Sequence, residues 1–286
     1  MRRLIFNADD FGLTAGVNRS IMEAHTQGVL TSATIMAHAP ATLGAEQLAR
    51  AHPQLGVGCH IVLINGTPLT DPAKLTSLIP RGHASFPSGI GAFAARALAG
   101  RLKLEQIELE AVAQISKLQA AGLSLSHCDT HKHAHMFPAV LTGLLRAARA
   151  CGIRAVRNPF EPTQSLSITF QRRNGRKRAL QTRLLRLWRA QFLEQVRRAG
   201  LRTTDGTIGV AATGLLDGDL FRELLARVPE GTWEFVTHPG YSDTDLQSAG
   251  TRLLASRETE LRLLTSLDTR AQLKQAGIKL ISYRDL

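Results

Sequence analysis

The sequence predicts an α/β fold, a distorted (β/α) barrel of the triosephosphate-isomerase kind forming a single domain over residues 1–286. Three observations lead there. Short apolar, β-rich runs alternate with stretches of helical period from end to end. Gly28, Gly122, Gly152, Gly200 and Gly277 follow helical stretches at the stop position and lead into the next apolar run. The reactive side chains fall at the C-terminal ends of those runs, where a barrel gathers its chemistry. A doubly wound open sheet is the competing arrangement.

Taken in order, the expected strands are 3–7, 30–37, 56–63, 123–128, 154–158, 207–211, 233–237 and 279–283. Helical period appears over 15–27, 41–51, 104–121, 139–151, 176–199, 219–227 and 257–276. Strand-then-helix repetition with short connections means parallel strands with helices outside. Residues 64–103 are rich in Pro, Gly and small side chains, show no strong period, and read as a long loop beside the site.

Composition narrows the class. Hydrophobic content of 44% and charged content of 20% are ordinary for a soluble enzyme. The leading MRRLIF offers too few apolar residues for a signal-peptide core, and no stretch approaches a membrane span. Three cysteines without paired spacing argue against a disulfide framework and for a reducing cytoplasm. The formal charge of +12 is uneven: nine Arg and one Lys against Glu194 put +9 between Arg172 and Arg198. Over 176–199 Leu180, Leu184, Leu187, Trp188 and Val196 recur near helical spacing among these cations. The pattern suits an outer barrel helix with a solvated face, or peripheral contact with an anionic membrane at its inner surface. Aromatics of 5%, scattered, provide no stacking platform, so nucleic acid is excluded as partner. Association into a homo-oligomer is compatible with the sequence but not specified by it.

The site candidates begin with Asp9 and Asp10. Adjacent carboxylates repel unless a cation or shared proton offsets the cost. A strand end that curls could aim both at one pocket, one as metal ligand and one as base. His60 lies in the third run, Asp129, His131, His133 and His135 follow the fourth, Arg157 ends the fifth, and His238 follows the seventh. A carboxylate with two imidazoles makes a divalent-metal site with open positions, and Asp10, His60 and His131 form the expected set. His60 alone also reads as a hydrogen-bonded core histidine. The three histidines of DTHKHAH share a face if the segment is extended. His133, His135, Asp129 and Lys132 are then left to line the substrate cleft or support the ligands. Cys59 and Cys128 alternate away from His60 and Asp129 and read as small buried hydrophobes.

The segments NADDFGLTAGVN, LTSATIMAHAP, GVGCHIVL, HCDTHKHAHMFP and EFVTHPGY, in that order, resemble the YdjC family of carbohydrate deacetylases, which includes chitooligosaccharide and hopanoid-associated enzymes. The likeness covers residues 3 to about 152, returns near 233–241 and ends with the terminal strand; residues 161–225 are less diagnostic. It implies a distorted barrel and metal-dependent removal of an acetyl group from an N-acetylated amino sugar, oligosaccharide or lipid-linked. It also implies Asp10, His60 and His131 as ligands, Asp9 as base, and His238 as acid or transition-state contact. Thr130, Lys132 and Ala134 depart from the family's commoner DSHHHVH form and leave the ligands intact, while Lys132 adds a cation near the cleft.

The expected reaction is therefore amide hydrolysis assisted by one divalent ion. Imidazole ligands favour zinc or a similar transition metal over magnesium, which the resemblance still admits. Asp9 accepts a proton from the attacking water, His238 as imidazolium protonates the departing amine, and Arg157 orients Asp9 or binds a substrate oxygen, a salt bridge within the barrel being the alternative. A related metallohydrolase acting on a phosphoester or cyclic amide is the alternative.

Overall fold

In the computed structural model, which describes all residues from Met1 to Leu286, eight strands form one parallel sheet. They are β1 (Arg2–Phe11), β2 (Ser32–Ile35), β3 (Gly56–Ile61), β4 (His127–Thr130), β5 (Ala155–Val156), β6 (Gly206–Ile208), β7 (Gly231–Thr237) and β8 (Ile278–Leu280). Their spatial order is β5-β4-β3-β2-β1-β7-β6, with β8 paired to the start of β1. The sheet curls until its two outer strands approach. The gap between β5 and β6 is stitched by Arg202, which bridges Ala155, and by the Thr207 N–H donating to the Phe160 carbonyl at 3.2 Å. The result is a distorted, incompletely closed barrel.

β1 is the central staple. It is bonded to β7 from Arg2 to Ala8, and its free side is shared by β8 below and β2 above. Its residues from Leu4 to Phe11 are all buried, as expected for a parallel strand covered on both faces. Phe6 stacks on Phe235 of β7 at 5.4 Å, and Phe221 packs against both rings. One large continuous apolar cluster runs from Leu4 to Ile278, beside a separate small one of Ile5, Ala155, Ile281 and Tyr283.

All eight expected strands are present, several shorter or shifted by a few residues. The segment 123–128 begins pairing only at His127 and continues to Thr130, because register is set by β3, where Cys59 faces Cys128 and His60 faces Asp129. The expected helix over 257–276 breaks at Ser266, whose extended backbone ends Ala255–Thr265 and whose hydroxyl caps Leu267–Gln275. The 176–199 helix breaks too, into Arg176–Leu185 and Arg189–Arg198 across a 3-10 turn. Residues 64–103 are not wholly irregular: Ala-rich Ile90–Leu98 is helical, as is Thr163–Gln171 after β5. No helix is long and apolar enough to cross a membrane.

Candidate active site

The end of β1 resolves how neighbouring carboxylates share one cleft. Ala8 pairs with Ala33 but Phe11 with Ile35, a bulge in which Asp10 adopts φ of +66°. In a regular strand Asp9 and Asp10 would face opposite sides; the bulge turns both toward the barrel mouth. Asp tolerates this left-handed conformation better than most residues. The following turn is pinned by Asn18, which accepts from the Gly12 N–H at 2.7 Å and donates to the Ala41 carbonyl at 2.9 Å. Gly12 has φ of +101°, and a Cβ there would lie 3.2 Å from the Thr42 Cα, so a side chain fits poorly. Thr14 then caps the first helix by accepting from the Val17 N–H at 3.1 Å.

Three donor atoms converge beside this bulge. Asp10 Oδ1 lies 3.6 Å from His60 Nε2 and 3.3 Å from His131 Nδ1, and the two ring nitrogens are 3.2 Å apart. Asp10 Oδ1 is buried with no hydrogen-bond partner. Donors at the corners of a tetrahedral zinc site stand about 3.4 Å apart, so these three fit a divalent ion. Two of the three donors are held from behind. His60 Nδ1 meets Asp129 Oδ1 at 2.8 Å, which turns its Nε2 toward the cluster, and Arg257 Nη2 donates to Asp10 Oδ2 at 2.6 Å. Burial alone would lower the His60 pKa, but Asp129 and Asp9 raise it to about 9. Burial works against the Asp10 charge, yet Arg257 and His131 hold its carboxyl well below the usual range.

Asp9 sits beside the cluster, fully engaged. Arg157 donates from Nη2 to Oδ1 at 2.6 Å and from Nη1 to Oδ2 at 2.9 Å, while Asn7 and Thr34 each donate to Oδ1 at 3.1 Å. Burial opposes its ionisation, but Arg157 overrides that and keeps the carboxyl far below its ordinary value. The same guanidinium bonds Asp129 and, from Nε at 2.8 Å, Glu234 Oε1. Glu234 is in turn bonded by Tyr283 and Thr207. Arg157 thus gathers three buried carboxylates from three strands. It has no exposed surface, and hence no free face for a substrate oxygen.

His238 enters from the end of β7, its Nε2 3.9 Å from Asp9 Oδ2 and its backbone N–H donating to Glu260 Oε2 at 2.6 Å. Burial pushes its pKa down to about 4, so the ring rests neutral, not as the imidazolium the sequence suggested. Burial also lifts Glu260 to about 7.

The histidine segment departs from expectation. Residues 131–136 form a 3-10 turn with left-handed Lys132 and His133, so the three histidines do not share a face. His131 joins the donor cluster and His133 lines the cleft. His135 is buried, its Nδ1 2.7 Å from the Thr130 hydroxyl. Asp129, expected with His135 among substrate-lining groups, is likewise sealed beneath the floor, because His60 and Arg157 consume its oxygens. Lys132, as expected, lines the cleft, and donates to Asn65 Oδ1 at 2.5 Å. The cleft above encloses about 540 Å³, with Asp9, Asp10, His131 and His238 among its lining residues. Cys59 and Cys128 are buried and unpaired.

Sequence reasoning missed Arg257, Glu260, Glu234 and Thr34. A signal existed for the first two. In the helix Ala255–Thr265 the buried positions are Arg257, Glu260, Leu261 and Leu264, so two charges occupy a core-facing stripe. Charges there demand partners, and these find Asp10 and His238.

Fold and site together define a (β/α)-barrel protein with an Asp–His–His donor cluster and a carboxylate–histidine pair at its mouth. Residues 3–275 match the family described as YdjC-like protein, and the chain belongs to that family. A carbohydrate deacetylase of Geobacillus stearothermophilus is 34% identical over 285 residues, covering 99% of this chain and 98% of its own. A chitooligosaccharide deacetylase of Escherichia fergusonii is 29% identical over 289 residues, covering 100% and 99%. A crystal structure from Enterococcus faecalis V583 superposes with a TM-score of 0.77 at 26% identity, covering 99% of this chain and 98% of the other.

Proposed function

We propose that the protein is a carbohydrate N-deacetylase that uses one divalent ion, zinc or a similar transition metal before magnesium, to cleave the acetamide of an amino sugar. The observation that carries this is the convergence of Asp10 Oδ1, His60 Nε2 and His131 Nδ1 within 3.2–3.6 Å, beside Asp9 and His238. Relatives spanning the whole chain bear the deacetylase name.

An ion at the cluster would supply Lewis acidity toward water and the acetyl carbonyl. The chain's own residues handle the proton. Asp9 takes it from the attacking water. Because Arg157 makes Asp9 so weak a base, the proton passes readily to His238 Nε2, 3.9 Å away. His238, neutral at the outset, then delivers it to the departing amine nitrogen. Arg157 fixes Asp9, Asp129 fixes the His60 tautomer, Arg257 fixes Asp10, and His133 borders the sugar.

A lipid-linked, hopanoid-type amino sugar belongs to this reading through one surface. Leu180, Leu184 and Leu187 are exposed by 51%, 67% and 83% on the basic segment, an arrangement suited to the anionic inner face of a membrane. Co-sedimentation with phosphatidylglycerol vesicles at low salt, lost at high salt, is the expected behaviour; no binding at low salt removes this part.

The central experiment is metal analysis of purified protein, followed by acetate release from diacetylchitobiose and from a lipid-linked N-acetylglucosamine. Stoichiometric metal with acetate and free amine is expected. Phosphate release from an ester, or a ring-opened acid from a cyclic amide, would replace the assignment.

A further inference from the structure

The lower half of the barrel holds a row of buried polar groups that no step above uses. It begins at Tyr283, in the 3-10 turn Tyr283–Asp285 that follows β8. A capping box closes that turn: the Ser282 hydroxyl accepts from the Arg284 N–H at 3.2 Å, and Asp285 Oδ2 accepts from the Ser282 N–H at 2.7 Å. The Ile281 N–H donates to the Leu4 carbonyl at 3.0 Å and the Tyr283 N–H to Ser32 Oγ at 3.2 Å, which fastens the turn to β1 and β2. The Tyr283 ring is 2% exposed and stacks on His127, with centroids 3.6 Å apart and planes 9° from parallel. The His127 ring in turn lies against Gly58, where a Cβ would fall 2.5 Å from its Cε1. A phenylalanine would fill this slot equally well, so the hydroxyl needs its own explanation.

That hydroxyl donates to Glu234 Oε2. Burial, with Glu234 beside it, holds the Tyr283 pKa well above its ordinary value, so the group remains a donor. Thr207 Oγ1 stands 3.2 Å from the same oxygen, but its single proton has a better acceptor in the Asn158 carbonyl at 2.7 Å. Tyr283 is therefore the group that fixes Oε2. The other oxygen, Oε1, takes Arg157 Nε at 2.8 Å and Nη2 at 2.6 Å. Three carboxylates compete for this guanidinium, whose donors lie in one rigid plane. Clamping the Nε edge on Glu234 sets that plane, and with it the direction in which Nη1 and Nη2 reach Asp9.

We propose that Tyr283 is a positioning residue for the reaction, acting from the barrel base through Glu234 and Arg157 on the orientation of Asp9. This rests on the deacetylase reading with Asp9 as base. The hydroxyl never meets substrate. It holds Glu234, Glu234 holds the guanidinium plane, and the guanidinium aims the Asp9 carboxylate at the attacking water.

The test is Tyr283→Phe, which keeps the ring on His127 and removes the hydroxyl. With diacetylchitobiose, kcat for acetate release should fall by about 10–100-fold with KM unchanged, as for an interaction that matters only in the transition state. The decisive comparison is a cycle with Asp9→Asn. If Tyr283 acts through Asp9, the double variant should be no slower than Asp9→Asn alone, whereas a purely structural loss would multiply in both backgrounds. Multiplicative losses, or an unchanged kcat in Tyr283→Phe, overturn the proposal. A second readout needs no turnover. In metal-free protein, solvent exchange of the Arg157 Nε–H, followed by heteronuclear NMR and assigned with Arg157→Lys, should quicken in Tyr283→Phe. Exchange as slow as in wild type also overturns it. Absence of acetate from every sugar removes the deacetylase reading, and the Nε–H comparison then still decides whether Tyr283 holds the guanidinium.

Discussion

Arg157 grips Asp9 through two hydrogen bonds of 2.6 and 2.9 Å across a separation of 148 residues. The pair fixes the orientation of Asp9 and keeps it ionised at every ordinary pH. The Asp10–His60–His131 donor cluster does not include Asp9; a second possible group, Asp9 with His60 and Asp129, has both its carboxylates engaged by Arg157. Base and metal site are therefore separable by substitution. Asp9→Asn preserves shape and should lower the rate of acetate release by about 10²–10⁴-fold, the usual worth of general base catalysis, while bound metal stays at the wild-type level. Asp10→Ala or His131→Ala should lose metal and activity together. Near-full turnover in Asp9→Asn, with metal bound, would reject Asp9 as base.

The barrel was legible because its signals are local: apolar runs, helical period and stop glycines recur along the chain. The convergence of Asp10, His60 and His131 was legible for a related reason, since each follows or ends a strand and strand ends meet at one mouth. What lay beyond reading was register and backbone handedness. The bulge at Ala8–Phe11 and the left-handed Lys132 and His133 decide which side chains face the cleft, and neither follows from residue type. The partners of the site were hidden for another reason. Arg257 and Glu260 come from a helix near the C-terminus, and Arg257 meets Asp10 across 247 residues. Only the assembled barrel makes them neighbours.

Arg257 invites the second prediction. It is 1% exposed, and its room depends on Gly240, where a Cβ would fall 2.8 Å from the Arg257 Cδ. Gly240→Ala should push the guanidinium off Asp10 Oδ2 without touching a ligand. Loss of an orienting partner of this kind costs about 10–100-fold in metal affinity. Titration against a competing chelator measures it, with Arg257→Leu as the direct comparison. Unchanged affinity in both variants would show that Asp10 is oriented by the bulge alone.

Metal binding should also release a proton. With no ion bound, Asp129 and Asp9 outweigh burial and raise His60 to about 9, so its ring is protonated at pH 7.5. A ligating imidazole must present its lone pair. Calorimetric titration of zinc into the metal-free protein, repeated in buffers of different ionisation enthalpy, should therefore show release of about one proton at pH 7.5, and affinity should climb with pH until His60 titrates near 9. By linkage, the His60 contribution to metal-free stability is full below the ordinary histidine pKa and is lost as pH rises through 9. Asp129→Asn removes the chief cause and should abolish most of the proton release. Binding without a proton, in wild-type protein, would contradict the Asp129–His60 arrangement.

Glu260 supplies a prediction with a definite sign. Burial raises its carboxyl to about 7 against 4.5 for the free side chain. An acid with a raised folded-state pKa helps the native state below its unfolded pKa, and that help is lost as pH climbs through the folded value. Between pH 4 and pH 8 the wild-type protein should thus lose roughly 3 kcal/mol of stability from this group alone. Glu260→Gln keeps an oxygen for the His238 N–H, now 2.6 Å from Oε2, but cannot ionise. Relative to wild type, the variant should gain stability as pH rises over that interval, read as a shift in urea midpoint at fixed slope. A wild-type–variant difference that stays constant from pH 4 to 8 would mean that Glu260 titrates like an exposed carboxylate, and that its place beneath His238 is purely one of packing.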